Sequence, residues 1–273
     1  MIHALDHVAV AVADLEAAVA DYEALLGRAA QRTEPADGAA RAWLHLDNIS
    51  LELIAAAGEG PAGDRVRRRL EAGGEGLLLI AFAVTDLAAG SRLLERRGIR
   101  GHARTDVAWS ADPDDTAGVQ IVLVPRTPRQ RPQPSPLHAA ANGAPAGLDH
   151  VVVHSPNPDR ALALYGAKLG LDLRLDRANP AWGARQMFFR CGDLVVEIGH
   201  GLKEGVSDAP DALGGLAWRM IDPAAVQARL AEAGFNVSEV RQGRKPGTQV
   251  FTVRDRTHGV PTLMLSAAPA DKA

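Results

Sequence analysis

The sequence predicts an α+β fold assembled from four strand-helix-strands modules in two tandem copies, and three observations carry that prediction. The tetrapeptide Leu5-Asp6-His7-Val8 returns as Leu148-Asp149-His150-Val151. From those histidines the register holds without a gap. The two tyrosines, Tyr22 and Tyr165, each lie 15 residues on (22 − 7 and 165 − 150), and Gly27 and Gly170 each lie 20 on (27 − 7 and 170 − 150). A weaker copy follows within each half, over residues 79–87 and 215–222, with Gly98 and Gly234 each 16 residues beyond an aromatic, Phe82 and Trp218 (98 − 82 and 234 − 218). Self-similarity of this kind is sought before local propensity is trusted.

The elements follow in chain order. Val8, Val10 and Val12 alternate with small residues as a half-buried strand does, and Leu15, Val19, Tyr22 and Leu26 then recur at helical spacing. Asp14, and Asp159 in the second copy, are placed to cap the helix start, while Gly27 and Gly170 stand where a left-handed residue ends each helix. Strands are expected over 42–46 and 49–54, turning at Asp47-Asn48, and over 186–190 and 194–198, turning around Cys191-Gly192-Asp193. In the weaker copies, helices are expected over 87–97 and 224–233, and closing strands over 119–124 and 260–265. Between the halves, PRTPRQRPQPSPLHAAANGAPAG (125–147) is too rich in proline for a helix or a central strand. The expected organisation is a first domain over 1–126, a linker over 127–146 and a second domain over 147–267.

Composition bounds the function. The chain has 273 residues, 47% hydrophobic and 23% charged, enough for two separate cores. A formal charge of −3 gives no electrostatic footprint for nucleic acid or for an anionic membrane. The one cysteine, Cys191, leaves histidine and carboxylate to supply any metal ligands. The first ten residues carry His3, Asp6 and His7 where an export signal needs a basic and then an apolar segment. Apolar runs such as 77–84 stop far short of the roughly 20 residues that span a bilayer. A soluble, cytoplasmic protein that handles a small molecule is expected; whether two chains join as a homodimer stays open.

LDHVAVAVADLEAAVADYEALLG and LDHVVVHSPNPDRALALYGAKLG resemble opening modules of the vicinal oxygen chelate superfamily, which contains glyoxalases, bleomycin-resistance proteins and extradiol dioxygenases. The likeness spans nearly the whole chain, apart from the connector and the last residues. It implies two glyoxalase-like domains, each of two βαβββ modules whose sheets curl around a cavity. It also implies metal ligands: a His or Gln on the first strand of a module and a Glu on its last. Those positions hold His7 and Glu52 in the first module, and His150 and Glu197 in the third. A carboxylate set in LELI or VVEI needs a metal, a partner or solvent to offset its desolvation. The matching positions of the second and fourth modules, Leu79, Val122, Gly215 and Leu263, lack ligand atoms.

Three readings stay open on these residues. The two odd modules bring His7, Glu52, His150 and Glu197 into one site for zinc, manganese, iron or nickel. Alternatively, each His-Glu pair holds metal weakly with substrate completing the shell, or does acid-base work without metal. In the third, the residues are relics in a protein that binds a small organic molecule in an apolar cavity, as bleomycin-resistance proteins do. The resemblance favours a metal-dependent lyase or isomerase acting on a small vicinal-oxygen substrate through an enolate, with no organic cofactor. In that reading Glu52 or Glu197 serves as base, and His154, on the face of His150, as proton shuttle. Ring-cleaving dioxygenase chemistry is disfavoured, because it calls for two histidines and a glutamate in one domain. His45 is read as a cavity or a sheet residue, and the aromatics Trp43, Phe82, Trp109, Trp182, Phe188, Phe189 and Trp218 chiefly as core. The basic stretches 67–69 and 241–245 are read chiefly as solvated charge.

Overall fold

The computed structural model describes residues 1–105, 107–127, 130–139 and 143–266. Ala267, the expected last residue of the second domain, lies outside them, as do 128–129 and 140–142 of the connector. In the first half, β1 (Ile2–Ala11) leads through α1 (Leu15–Leu26) to β2 (Gln31–Ala36), β3 (Ala39–His45) and β4 (Ser50–Ala56). After α2 (Pro61–Gly73) come β5 (Gly76–Val84), α3 (Leu87–Arg96), β6 (Gly101–Thr105), β7 (Ala108–Ala111) and β8 (Ile121–Pro125). The second half repeats the plan with β9 (Gly147–His154), α4 (Pro158–Ala161), β10 (Asp172–Asn179), β11 (Ala184–Cys191) and β12 (Leu194–Gly201). It closes with β13 (Ala212–Met220), α5 (Pro223–Glu232), β14 (Arg241–Gln242), β15 (Gln249–Val253) and β16 (Thr262–Ser266).

The two eight-stranded sheets have orders β2-β3-β4-β1-β5-β8-β7-β6 and β10-β11-β12-β9-β13-β16-β15-β14, the same permutation shifted by eight strands. Within a module the first strand lies parallel to the last, as β9 does to β12, β5 to β8 and β13 to β16. The strands between are antiparallel. This is the βαβββ plan of the vicinal oxygen chelate fold. The strands absent from the sequence reading are β2, β6, β7, β10, β14 and β15, which lie toward the outer ends of the sheets. β2 is exposed along its length and reads QRTEPA, with no apolar alternation to reveal it, and it is held by pairing to β3.

Local chemistry explains the helix ends. Asp14 accepts from the Glu16 and Ala17 amides, and Gly27 closes α1 at φ 64°. In the second copy the expected cap is corrected: Asn157, not Asp159, accepts from the Arg160 amide, because Pro158 takes the first helical position and sets the start two residues earlier. α4 then continues as a π-helix over Leu162–Lys168 before Gly170 turns at φ 76°. The stretch 67–69 lies inside α2, which runs on to Gly73, and Arg241 and Gln242 of the other basic stretch form the short strand β14.

Two compact units emerge, one of Met1–Val8, Leu79–Pro132 and His150–Gly214, the other of Ala9–Leu78, Gln133–Asp149 and Gly215 onward. In the first, the second and third modules are tied by Arg97 Nη1 donating to the Lys168 carbonyl at 2.9 Å and by the Asp211 amide donating to the Ala117 carbonyl at 2.7 Å. In the second unit, the first and fourth modules meet where the Tyr22 hydroxyl donates to the Thr257 carbonyl at 3.0 Å and His258 stands between Asp21 and Glu75. Part of the connector packs into that unit, with Arg28 Nη1 donating to the Ser135 carbonyl and the His45 amide to Ser135 Oγ. Phe82, Phe189, Trp218 and Phe251 are fully buried. No helix among the described residues is long and apolar enough to cross a membrane.

Candidate functional site

The third module presents one half-open sheet face. Along β12 the residues alternate, Leu194, Val196, Ile198 and His200 buried, Val195, Glu197, Gly199 and Gly201 partly exposed. Register extends that second face across the neighbours: His150 lies beside Val195 and His154 beside Gly199, while Phe188 is opposite Glu197 and Gln186 opposite Gly199. One strand further, Arg177 of β10 is opposite Gln186. Directly opposed residues share a face, so these side chains converge on one surface.

At its centre His150 Nε2 lies 3.3 Å from Glu197 Oε2, both side chains being mostly buried. On the other side Gln186 Nε2 donates to Glu197 Oε1 at 2.6 Å. A carboxylate only accepts, so this contact fixes which end of the amide faces Glu197. The opposite end, Gln186 Oε1, is buried without a hydrogen-bond partner. Leaving such an acceptor unmade costs about 1–3 kcal/mol. The carboxylate is thus held by an amide and an imidazole, with no arginine or lysine of the described residues on it.

His154 stands at the end of β9, exposed and on the same face as His150. Two glycines leave room for its ring: a Cβ on Gly214 would lie 2.5 Å from the imidazole, and one on Gly199 would lie 3.4 Å from Nδ1. At the outer edge, Asn179 caps the turn Pro180–Trp182 by accepting from the Ala181 amide, and Gly183 leaves it at φ 64°. That turn lays Trp182 against the Arg177 guanidinium, 4.6 Å from the ring centroid, with Phe188 at 5.9 Å.

The first module repeats the strand register with different side chains. Trp43 is opposite Glu52 and Arg41 opposite Ile54, as Phe188 and Gln186 stand to Glu197 and Gly199. Arg41 and Gln186 each precede their glutamate by 11 residues (52 − 41 and 197 − 186). Arg41 Nε donates to Glu52 Oε1 at 2.9 Å, and its Nη1 donates to the Ala36 and Ala39 carbonyls. Glu52 therefore sits in an ion pair, and β4 around it is buried up to Ala55. His7 Nδ1 lies 2.8 Å from Asp6 Oδ2, and Arg126 holds Asp6 through Nε and Nη2. Burial pushes the Asp6 carboxyl up, but the His7 and Arg126 contacts together outweigh it and leave it below the ordinary carboxylate range.

Of the anticipated residues, then, the structure brings His150 and Glu197 together with His154 on their face. His7 has Asp6 as a partner and Glu52 has Arg41. His7, His150 and Glu197 belong to one unit and Glu52 to the other. Among the described residues no three His, Cys, Asp or Glu side chains are grouped to hold a metal ion. His45 is a sheet residue, 2.7 Å from Ser50 Oγ and stacked on Trp43. Two further histidines, each beside a glycine, are engaged: the buried His200 has Nδ1 3.1 Å from the Ser155 carbonyl, and the part-buried His258 bridges two carboxylates. The sequence reading missed Arg41, Gln186 and Arg177. For the first two the equal spacing of 11 was an available signal; for Arg177, on an exposed outer strand, there was none.

Comparison with known proteins agrees with this picture. The family model described as Glyoxalase/Bleomycin resistance protein/Dioxygenase superfamily matches residues 6–112 and again 149–252. An ethylmalonyl-CoA/methylmalonyl-CoA epimerase of Cereibacter sphaeroides is 37% identical over 102 residues, covering 37% of this chain and 75% of that protein. Among solved structures, a mutant of 4-hydroxymandelate synthase from Streptomyces coelicolor superposes with a TM-score of 0.73 at 16% identity, over 97% of this chain and 93% of that one. A halotolerant catechol dioxygenase gives 0.64 at 12% identity, over 98% and 87%. These two show the fold alone.

Proposed function

The chain belongs to the glyoxalase/bleomycin resistance protein/dioxygenase superfamily, and on that premise we propose that His150 and Glu197 of the third module form an acid-base pair acting on a small substrate with vicinal oxygens. Glu197 removes a proton from carbon next to a carbonyl, and the resulting enolate is reprotonated, which is the step shared by isomerases, epimerases and lyases. The observation that carries this reading is the difference between the copies: Glu52 is neutralised by Arg41, whereas Glu197 meets an amide and an imidazole. Gln186 steadies Glu197 from one side and His150 orients it from the other. His154, with no side chain at Gly199 or Gly214 to displace it, passes the proton between the pair and solvent. The similarity to an epimerase supports this class of chemistry.

His150 and Glu197 fit a divalent ion only where substrate oxygens complete its shell, since resident ions draw three or four protein groups. Zinc, manganese, iron or nickel held in that way supplies Lewis-acid stabilisation of the enolate. In the same reading 1–126 and 147–267 are two copies of one domain, of which the second is the reactive one.

The test is carbon-bound hydrogen exchange. Intact protein, purified without chelator, is incubated in D2O with 2-oxo acids, hydroxy-ketones and a 2-methyl acyl-CoA ester, with and without added divalent ions, and exchange is read by NMR. At least one class should exchange, and Glu197→Gln should slow it by about 100-fold or more, the usual contribution of a general base. Glu52→Gln should leave the rate per folded molecule within a few-fold. Exchange that survives Glu197→Gln, or that disappears with Glu52→Gln, would refute the assignment.

A further inference from the structure

Four arginines lie on β10 and β11, and three have carboxylate partners. Arg174 and Arg190 pair with Asp172, and Arg185 pairs with Asp176 and Asp159. Arg177 alone among them forms no ion pair or hydrogen bond with a described residue, and its Nε is buried without a partner. Its guanidinium carbon lies over the Trp182 ring, 4.6 Å from the centroid, and 5.9 Å from that of Phe188. A cation over an aromatic ring is attracted by the ring's π-face, and the N–H groups not turned to the ring stay free to donate. The cation is only part-exposed, and it shares the sheet face of Gln186 and Glu197. A guanidinium seated over an aromatic ring, partly desolvated and lacking a counter-ion among the described residues is suited to receive a planar anion.

We propose that Arg177 anchors a carboxylate of the substrate, and that this carboxylate is remote from the reacting carbon. The inference rests on the reading of His150 and Glu197 as the reactive pair and adds a substrate class to it. Arg177 lies on β10 and Glu197 on β12, so two strand spacings, about 10 Å of backbone, separate them. Two side chains reaching over that gap leave room for a short carbon chain with an anion at one end and vicinal oxygens at the other. The class that fits is a short 2-oxo or 2-hydroxy diacid.

A matched pair of probes tests this without turnover. 2-Oxoglutarate and 2-oxopentanoate have the same chain length and the same vicinal oxygens, and differ in the remote carboxylate. Each is titrated against the intact protein by saturation-transfer NMR. 2-Oxoglutarate should bind about 10- to 100-fold more tightly, the usual weight of a charge-assisted contact. Arg177→Gln should erase the difference with the thermal midpoint unchanged, and Arg177→Lys should restore part of it. Arg190→Gln, which removes an exposed, paired arginine of the neighbouring strand, should leave the ratio as it was. Glu197→Gln should also keep the preference. A failed acid-base assignment then shows as absent exchange with discrimination intact, and a failed anchor as absent discrimination with exchange intact. Equal binding of the two probes, no binding of either, or a preference that survives Arg177→Gln would each overturn the proposal.

Discussion

Gln186→Arg should silence the third-module face while leaving it folded, because it installs on Glu197 the partner that Glu52 already has. Glu197 Oε1 now accepts a 2.6 Å bond from a neutral amide, whereas the equivalent contact in the first module is an arginine at 2.9 Å. A unit charge about 4 Å away, at an effective dielectric of about 20, stabilises a carboxylate by about 4 kcal/mol. Proton transfer to Glu197 becomes harder by up to that amount, less the cost of burying the guanidinium. If roughly half of it reaches the transition state, exchange slows by up to about 30-fold. Gln186 is 7% exposed, so the longer side chain adds an overpacking cost of about 1–3 kcal/mol. The assay is therefore hydrogen exchange per folded molecule, with the folded fraction taken from thermal melts at the assay temperature. A folded Gln186→Arg protein that exchanges at the wild-type rate would refute the idea that a neutral neighbour keeps Glu197 reactive.

The mirror-image change, Arg41→Ala, should lower stability by about 3 kcal/mol, since it removes the guanidinium from a nearly buried carboxylate; urea melts should show this, and an unchanged midpoint would contradict a structural role for the pair. Asp115 accepts from Arg100 Nε, Nη2 and backbone amide, and those contacts hold its carboxyl down at about 2. Its folded value is depressed, so its contribution to stability is complete above the ordinary value near 4 and disappears as the pH falls through about 2. Melts of Asp115→Asn should accordingly fall less steeply between those limits than wild type, and parallel curves would count against the assignment. Burial first, and then the charge of Asp193, push the Cys191 thiol up to about 12. A thiol reagent at pH 8 should leave native protein unlabelled and modify the denatured chain fully; rapid labelling of the native state would show that the site opens.

Much of the fold was legible in the chain because duplication writes the same constraints twice. The Leu-Asp-His-Val pair, the matched tyrosines and the helix-ending glycines named the modules, and Gly27 and Gly170 adopt the left-handed conformation their positions implied. Strands near the centre of each sheet, such as β1 and β4, showed themselves through their apolar residues. β2 did not, because an exposed outer strand without apolar alternation exists through its hydrogen bonds to a neighbour, and in β10 the alternating Leu173 and Leu175 are themselves exposed on an otherwise polar strand.

The chemistry divided in the same way. His7, Glu52, His150 and Glu197 could be picked out as unusual from sequence, since carboxylates amid valine and leucine need an explanation. Their differing circumstances could not, because each is set by a residue on another strand: Arg41 for one glutamate, Gln186 and His150 for the other. Sequence by itself determined the modular plan, the duplication and the identity of the polar groups set among apolar strands, since periodicity and repetition are local properties of the chain. Which glutamate meets an arginine and which an amide follows from the fold, because cross-strand register sets Arg41 beside Glu52 and Gln186 beside Glu197, and register is not a local property of the chain.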